Sequence, residues 1–498
     1  MTGLPLLSLL VWLPLAGAVV LMFAGREQKS LPRAVATVVM AVQVVLALAA
    51  WAGFGDGPGF RYVERFEWLP SVGVTYHLGI DGLGLTLVAL SAVIGLIAAV
   101  ASYGIQDRVR DFYLYLLLLQ TGIMGVFTAL DYILFFIFWE LMLVPMYFLI
   151  GIWGHDRREY AAIKFFVYTM VGSMIMLVSI LALYFATGAG TFDMLAIAEA
   201  APALPLAVQR LIFLGLFAGF AVKVPVVPLH TWLPDAHVEA PTPISVILAA
   251  VLLKAGGYAF FRISLPTLPE AAAAFGYFFA VLGIINIVWG ALVALAQTDF
   301  KRVVAYSSVS HMGFVMLGLG AAALPAVSGA AEALTGAAYV MLAHGLNSAL
   351  LFLLVGVYYD RLHTRDLNAM GGLFKAMPFA GTVLAWAIFA NLGLPGLSGF
   401  IGEFFTFLGA YRTVPGLVYV GLVGLVLVTA FNLWTLHRVN FGPPNERYGH
   451  LSDMTARETL TLVPLVALTT LLGVYPGFVF DVLNQPVTTL LQRLAAGF

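Results

Sequence analysis

The sequence predicts an all-α integral membrane protein with about fourteen transmembrane helices. Of its 498 residues, 62% are hydrophobic and 10% charged. Mean hydropathy is +0.99. Apolar runs close to the length that spans a bilayer recur from one end of the chain to the other. A soluble core does not have this composition, so the lipid bilayer is the first partner implied. Net charge is −1 and no basic run exists, which gives nucleic acid no footing. Without cysteine, disulfides, thiolate metal sites and cysteine-ligated iron-sulfur clusters are excluded from this chain.

Apolar runs bounded by charge, Gly and Pro place the spans at 3–23, 32–54, 82–103, 112–129, 131–150, 161–186, 208–237, 242–262, 275–295, 303–322, 332–357, 379–412, 416–437 and 457–478, with ends good to about four residues. The run from Leu4 to Phe23 is followed, not preceded, by Arg26 and Lys29, so it reads as a first span and not a cleaved signal. No transit peptide is visible and no soluble domain fits between spans. The single domain divides into N-terminal helices (1–103), a first unit (112–262), a second unit (275–437), and a last helix with a short tail (457–498).

Odd-numbered connections hold fifteen Lys and Arg, among them Lys301, Arg302, Arg365 and Arg447, against six on the other side, among them Arg262. The positive-inside bias puts the odd connections in the cytoplasm and both termini outside.

The seventh span is broken by Pro225 and Pro228, and the twelfth by the run Asn391-Leu-Gly-Leu-Pro-Gly-Leu-Ser. Such breaks survive in a membrane when buried in protein or lining a wet cavity. They lie five spans apart, an odd offset that reverses direction. Spans 4–8 and 9–13 are therefore expected to be inverted repeats with ion sites near the midplane.

Ionisable groups at membrane depth are costly and mark functional sites. Lys254 lies about 12 Å from the nearer end of its span, farther than a lysine stem comfortably snorkels. Lys223 closes the first half of broken span seven, where the helix end favours an ammonium, a placement that also suits a structural lysine. Glu140 has no charged neighbour nearer than Asp131 in sequence, so its expected counter-ion is Lys223, the alternative being an acid kept neutral by burial. Glu403, in the second half of span twelve, suits the end of a proton path or a wet vestibule. His311 and His344 fall mid-span and suit a relay, as His230 does more weakly, although lone membrane histidines often only pack. Lys164 lies near Arg157 and Arg158 and either snorkels or serves the cytoplasmic mouth.

Several segments carry a resemblance: His77-Leu-Gly-Ile-Asp-Gly-Leu, Phe138-Trp-Glu-Leu-Met-Leu-Val-Pro, Lys223-Val-Pro, Leu233-Pro-Asp-Ala-His-Val-Glu-Ala-Pro-Thr-Pro, Leu253-Lys-Ala-Gly-Gly-Tyr, Asp299-Phe-Lys-Arg-Val-Val-Ala-Tyr-Ser-Ser and Gly393-Leu-Pro-Gly-Leu-Ser-Gly-Phe. Over nearly its whole length the chain resembles the antiporter-like membrane subunits of respiratory complex I. That resemblance implies a proton-translocating subunit of NADH:quinone oxidoreductase. It further implies a glutamate-lysine pair at Glu140 and Lys223, a central lysine at Lys254, a relay through His311 and His344, and a last charged residue at Glu403. Two of the three antiporter-like types, called L and N, carry lysine at that last position, and type L continues into a long lateral helix. Glu403 and the short tail imply the third type, with L and N among its partners. No cofactor is expected in this chain; NAD, FMN, iron-sulfur clusters and quinone are implied for partner subunits.

The implied mechanism has quinone reduction alter the Glu140–Lys223 separation, change proton affinity at Lys254, and send the proton out through His311, His344 and Glu403. A subunit of a multi-chain Na+/H+ antiporter is the alternative with the same fold. A stand-alone solute transporter lacks a pocket in this pattern, and a quinone-binding chain finds weak support in His230 and Trp232.

Overall fold

A computed structural model describes residues 4–495 except 56, 58, 326, 327, 444–447, 449 and 450. Arg447 of the charge count, residue 3 of the first span and 496–498 of the tail lie outside the described residues. Twelve helices among the described residues are long and apolar enough to cross a membrane. Leu6–Met22 fills the first expected span, and Pro378–Asn391 with Ser398–Thr413 the broken twelfth. Each of the expected spans therefore has its helix.

Several helices start where acidic or hydroxyl residues cap them. Asp131 accepts from the backbone N–H of Ile133 and Leu134 at 2.9 and 3.2 Å, Asp299 caps Phe300–Ala322, and Thr455 with Glu458 forms a capping box.

Three features depart from the expected plan. Between the second and third spans, Arg61–Leu69 and Val74–Ile80 form an antiparallel hairpin, with Glu64 opposite Leu78 and Phe66 opposite Tyr76. Its alternation is too short and too polar to register as an apolar run. The tail is a helix, Gly477–Ala495, that buries Val479, Leu483, Val487, Leu490 and Leu494; this three-to-four-residue spacing is the stripe of an amphipathic helix. It packs across the third and eleventh spans.

The third departure corrects the charge count. Lys301 is only 1% exposed and is not a loop cation. It enters the first turn of Phe300–Ala322 and donates to the Ala240 carbonyl oxygen. Arg262 is not a loop charge either: the eighth span runs on to Thr267, and the Arg262 guanidinium lies 2.6 Å from Asp81.

The helices Thr242–Thr267, Phe300–Ala322 and Ala330–Leu362 form the axis of the bundle. The most apolar windows of the first and last are wholly buried, and that of the middle one 94% buried. By contrast, Ser30–Ala52, Pro415–Asn440 and Ala456–Val474 are only a third buried and form the rim. The three axial helices carry Lys254, His311 and His344.

Small residues let the helices around this axis approach closely. Gly276, Gly283 and Gly290 recur along Pro269–Leu295 and face Gly320, Gly313 and Ser310 of Phe300–Ala322. A Cβ at Gly283 would lie 2.5 Å from the Leu317 nitrogen and 2.7 Å from the Gly313 oxygen, both backbone atoms that cannot swing aside. Gly283→Val is therefore expected to destabilise the subunit by about 1–3 kcal/mol or more. The measurement is the thermal midpoint of the detergent-solubilised assembly, which should fall relative to the parent.

Candidate functional site

The seventh span ends its first half at Lys223, and Pro225 and Pro228 deny the next turn its donors. Asn286 of the ninth span takes up the freed backbone: its Oδ1 accepts from the Val227 N–H at 2.8 Å, and its Nδ2 donates to Pro225 O at 3.2 Å. Trp232 Nε1 donates to Val222 O across the break at 2.9 Å. The second half, Trp232–Glu239, then restarts the helix.

Lys223 and Glu140 are within electrostatic range of one another. Their charged groups are not in direct contact. The Lys223 ammonium and Glu140 Oε1 each lack a hydrogen-bond partner among the described residues. The ammonium lies 5.3 Å from the centre of the Trp139 ring and 5.7 Å from that of Phe165, within cation–π distance. Glu140 is half-buried.

Lys254 sits between two wide π-helical turns, Leu248–Leu252 and Phe260–Ser264. Such turns loosen the hydrogen-bond ladder and recur at functional sites. The ammonium donates to Ala249 O and to His344 Nδ1, both at 2.6 Å. His344 Nε2 meets Ser308 Oγ at 3.1 Å. An imidazole that accepts at one nitrogen is neutral, with its proton on the other. The His344 and His311 rings stack, their centroids 5.4 Å apart.

His311 has a different environment. Its Nδ1 meets Ser307 O at 2.7 Å and its Nε2 meets Asn391 O at 2.9 Å. Two carbonyl acceptors call for two N–H donors, so the geometry suits the imidazolium. Glu403 Oε1 lies 3.3 Å from Nε2 and balances that charge. Asn391 ends the first half of span twelve, and Gly393 and Gly396, with φ of 78° and 94°, turn the chain through conformations that disfavour side chains. The broken helix thereby exposes the carbonyl that holds His311. An apolar cavity of ≈480 Å3, lined in part by Leu394, Phe404, Tyr411 and Leu422, adjoins Glu403.

The other residues singled out from sequence stand apart from this line. Lys164 is 2.7 Å from Asp235, both side chains about one-fifth exposed. His230 is 6% exposed, its Nδ1 without a hydrogen-bond partner among the described residues, and faces Tyr306 at 6.3 Å.

Two functional candidates escaped the sequence reading. His237 is fully buried, stacked on Phe352 at 4.5 Å, and neither ring nitrogen has a hydrogen-bond partner among the described residues. It lies in electrostatic range of both Lys301 and Lys254. The Leu233-Pro-Asp-Ala-His segment held the signal for His237, and the position of Lys301 just after the capping Asp299 held the signal for a buried lysine.

At the same end of the bundle, a cavity of ≈270 Å3 is lined by Trp153, His155, Thr242, Tyr359 and Asp360. His155 lies in the loop after the fifth span. Burial, with Lys301 and Arg365 beside it, pulls its imidazole down to about 4. Among the described residues, no group of three His, Asp or Glu is arranged to hold a metal ion.

Residues 129–429 match the family model described as NADH:quinone oxidoreductase/Mrp antiporter, TM. The chain is 43% identical to NADH-quinone oxidoreductase subunit M of Pseudomonas aeruginosa, over 99% of this chain and 98% of that one. It is 40% identical to subunit M of Escherichia coli K12, with 98% of each covered. Among solved structures it is similar to a chain of respiratory complex I from Thermus thermophilus with bound NADH: TM-score 0.88, 29% identity, 98% of this chain and 99% of that one. It is also similar to a chain of the membrane-bound sulfane sulfur reductase, an archaeal respiratory membrane complex: TM-score 0.83, 25% identity, 94% of this chain and 76% of that one.

The geometry makes two predictions. His344→Ala removes a charge-assisted hydrogen bond from Lys254, worth about 1.5–3 kcal/mol, and should lower the stability of the subunit by an amount of that order. The measurement is the thermal midpoint of the intact detergent-solubilised assembly.

His155 binds its proton in the unfolded chain near the ordinary histidine value but in the folded chain only near 4. Between those two values the unfolded state holds more protons, so stability rises with pH across that window. The parent should lose thermal stability as pH falls from about 6.5 towards 4, and His155→Asn should flatten that slope.

Proposed function

Because the chain belongs to the NADH:quinone oxidoreductase/Mrp antiporter membrane family, we propose that it is an M-type membrane-arm subunit that carries protons across the bilayer as partner subunits pass electrons from NADH to quinone. One observation carries this reading. Lys254 donates to His344 at 2.6 Å, the His344 and His311 rings stack with centroids 5.4 Å apart, and Glu403 lies 3.3 Å from His311, all in buried helices; a proton path needs such a succession of protonatable groups, with water bridging the two rings.

On this reading the odd-numbered connections face the cytoplasm and both termini lie outside. Protons enter beside His155 and Lys301 and reach Lys254 by way of His237, whose unpartnered nitrogens suit bridging water. His344, held by Lys254, is the neutral acceptor, and His311, held by two carbonyls, is the next station. Glu403 receives the proton from His311 and releases it. The π-helical turns around Lys254 give its ammonium a carbonyl to leave and return to.

Lys223 and Glu140 form the switch. Neither has a hydrogen-bond partner to lose, so a change in their separation acts through charge alone. Closing the gap favours both ionised forms; opening it favours both neutral forms. The two five-helix units around the breaks act as inverted repeats. Lys223 stands before the first break and Glu403 after the second, so the repeats carry their charges asymmetrically. NAD, FMN, iron-sulfur clusters and quinone belong to partner subunits, and chains of the L and N types flank this one. Relatives named subunit M, matched over almost their whole length, favour this reading over a separate Na+/H+ antiporter.

The test is Glu140→Gln in the assembled complex, with electron transfer and proton pumping measured in sealed vesicles. Loss of pumping, alone or with turnover, is expected while assembly stays intact. Unchanged pumping and turnover would overturn the switch.

A further inference from the structure

We propose that Lys301 and Arg365 are positioning residues: together they clamp the C-terminal end of the half-helix Trp232–Glu239 and so hold His237 in line between the cytoplasmic mouth and Lys254. This rests on the uptake route through His237 given above.

The half-helix has only eight residues, and the proline break leaves it no helical continuation on its N-terminal side. Its last carbonyls need donors from elsewhere. They receive four: Ser245 Oγ, at the start of the eighth span, donates to His237 O at 3.0 Å, and three more come from other parts of the chain. Arg365 Nη1, in the connection after the eleventh span, donates to Val238 O at 2.7 Å. The backbone N–H of His155 donates to Glu239 O at 2.9 Å. Lys301 Nζ, on the tenth span, donates to Ala240 O at 2.5 Å. The Glu239 carboxylate is held in turn by the Arg157 N–H at 2.9 Å.

Two of these donors are cations, and both come from the second unit. A cation at a helix C-terminus meets the partial negative charge of the unpaired carbonyls, and where the site is dry that attraction is at its largest. Lys301 is 1% exposed. The two cations are also tied to each other: Arg365 Nε is 3.3 Å from Asp299, the residue that caps the helix carrying Lys301, and the Phe300 N–H donates to Arg365 O at 2.9 Å.

His237 lies one residue before Val238. Among the described residues its ring has no hydrogen-bond partner and stacks on the Phe352 face. With no bond of its own to orient it, the ring depends on the backbone that carries it. Movement of the second unit at Lys301 and Arg365 is thus transmitted to the histidine of the first. The clamp joins the two units at the point where a proton enters.

The experiment uses the whole complex in sealed vesicles. It compares Lys301→Met, Lys301→Arg, Arg365→Gln and the Lys301→Met/Arg365→Gln double variant, with His237→Leu as reference. Loss of a hydrogen bond to a charged group predicts about a tenfold fall in proton translocation for Lys301→Met and for Arg365→Gln, with assembly intact. The double variant should be no worse than the poorer single one, since both act on one element. Lys301→Arg should pump like the parent, because a guanidinium still donates to Ala240 O yet cannot pass its proton on. If an assembled Lys301→Arg is as defective as Lys301→Met, lysine is a proton carrier and the clamp is overturned. If His237→Leu is inactive while Lys301→Met or Arg365→Gln pumps normally, the clamp fails and the uptake route stands. Normal pumping by His237→Leu overturns the uptake route itself. Should the Lys301 variants not assemble, Arg365→Gln, whose side chain is partly exposed, decides the matter alone.

Discussion

A backbone carbonyl in a bilayer must find its hydrogen bond inside the protein, and the placement of charge in this chain follows from that constraint. Where a helix is interrupted or its ladder widened, carbonyls are released, and at several of these places a cationic or imidazole group is found on them. Lys254 binds Ala249 O within the π-helical stretch. His311 binds Asn391 O at the second break, and Lys301 and Arg365 bind Ala240 O and Val238 O at the end of the half-helix after the first. Asn286 closes the first break itself. The interruptions that weaken the helices thus make it possible to keep ionisable groups at depth.

Lys223 is the exception. It stands at a helix end, where the partial negative charge favours it, but among the described residues its ammonium has no hydrogen-bond partner and lies over aromatic faces. A cation held by geometry and not by a hydrogen bond responds readily to a distant charge, because no bond has to be broken first. Glu140, half-buried and equally unbonded, shares this property. Along the line Lys254 is hydrogen-bonded to His344 and Glu403 lies 3.3 Å from His311, whereas Lys223 and Glu140 make no such close contact among the described residues, which separates a conducting element from a sensing one.

Much of the fold was legible beforehand. The spans and both breaks could be placed from apolar runs and from Pro225, Pro228, Gly393 and Pro395, because a bilayer of fixed thickness imposes a fixed length and proline removes a donor wherever it stands. The hairpin at Arg61–Leu69 and the amphipathic helix Gly477–Ala495 were not legible in that way, since neither crosses the membrane. Of the site, Lys254, His311, His344 and Glu403 were legible as ionisable groups in apolar surroundings. Lys301 was not, because a lysine one residue into a helix looks the same whether its side chain turns out to water or in to Ala240. His237 was passed over because it sits in a polar run beside the break.

The sequence by itself determined the membrane class, the number and approximate places of the spans, the positions of the breaks, and most of the residues that carry charge at depth. These depend on transfer to lipid and on local backbone chemistry, both of which act residue by residue. Only the tertiary structure decided that the eighth, tenth and eleventh spans form the axis, that Lys254 meets His344 and His311 meets Glu403, and that Glu140 and Lys223 stand apart. The physical reason is that lipid and protein interior are almost equally apolar. Hydropathy therefore cannot tell a helix at the centre from one at the rim; close approach through residues such as Gly283 and Gly313, and the pairing of released carbonyls with cations, make that choice.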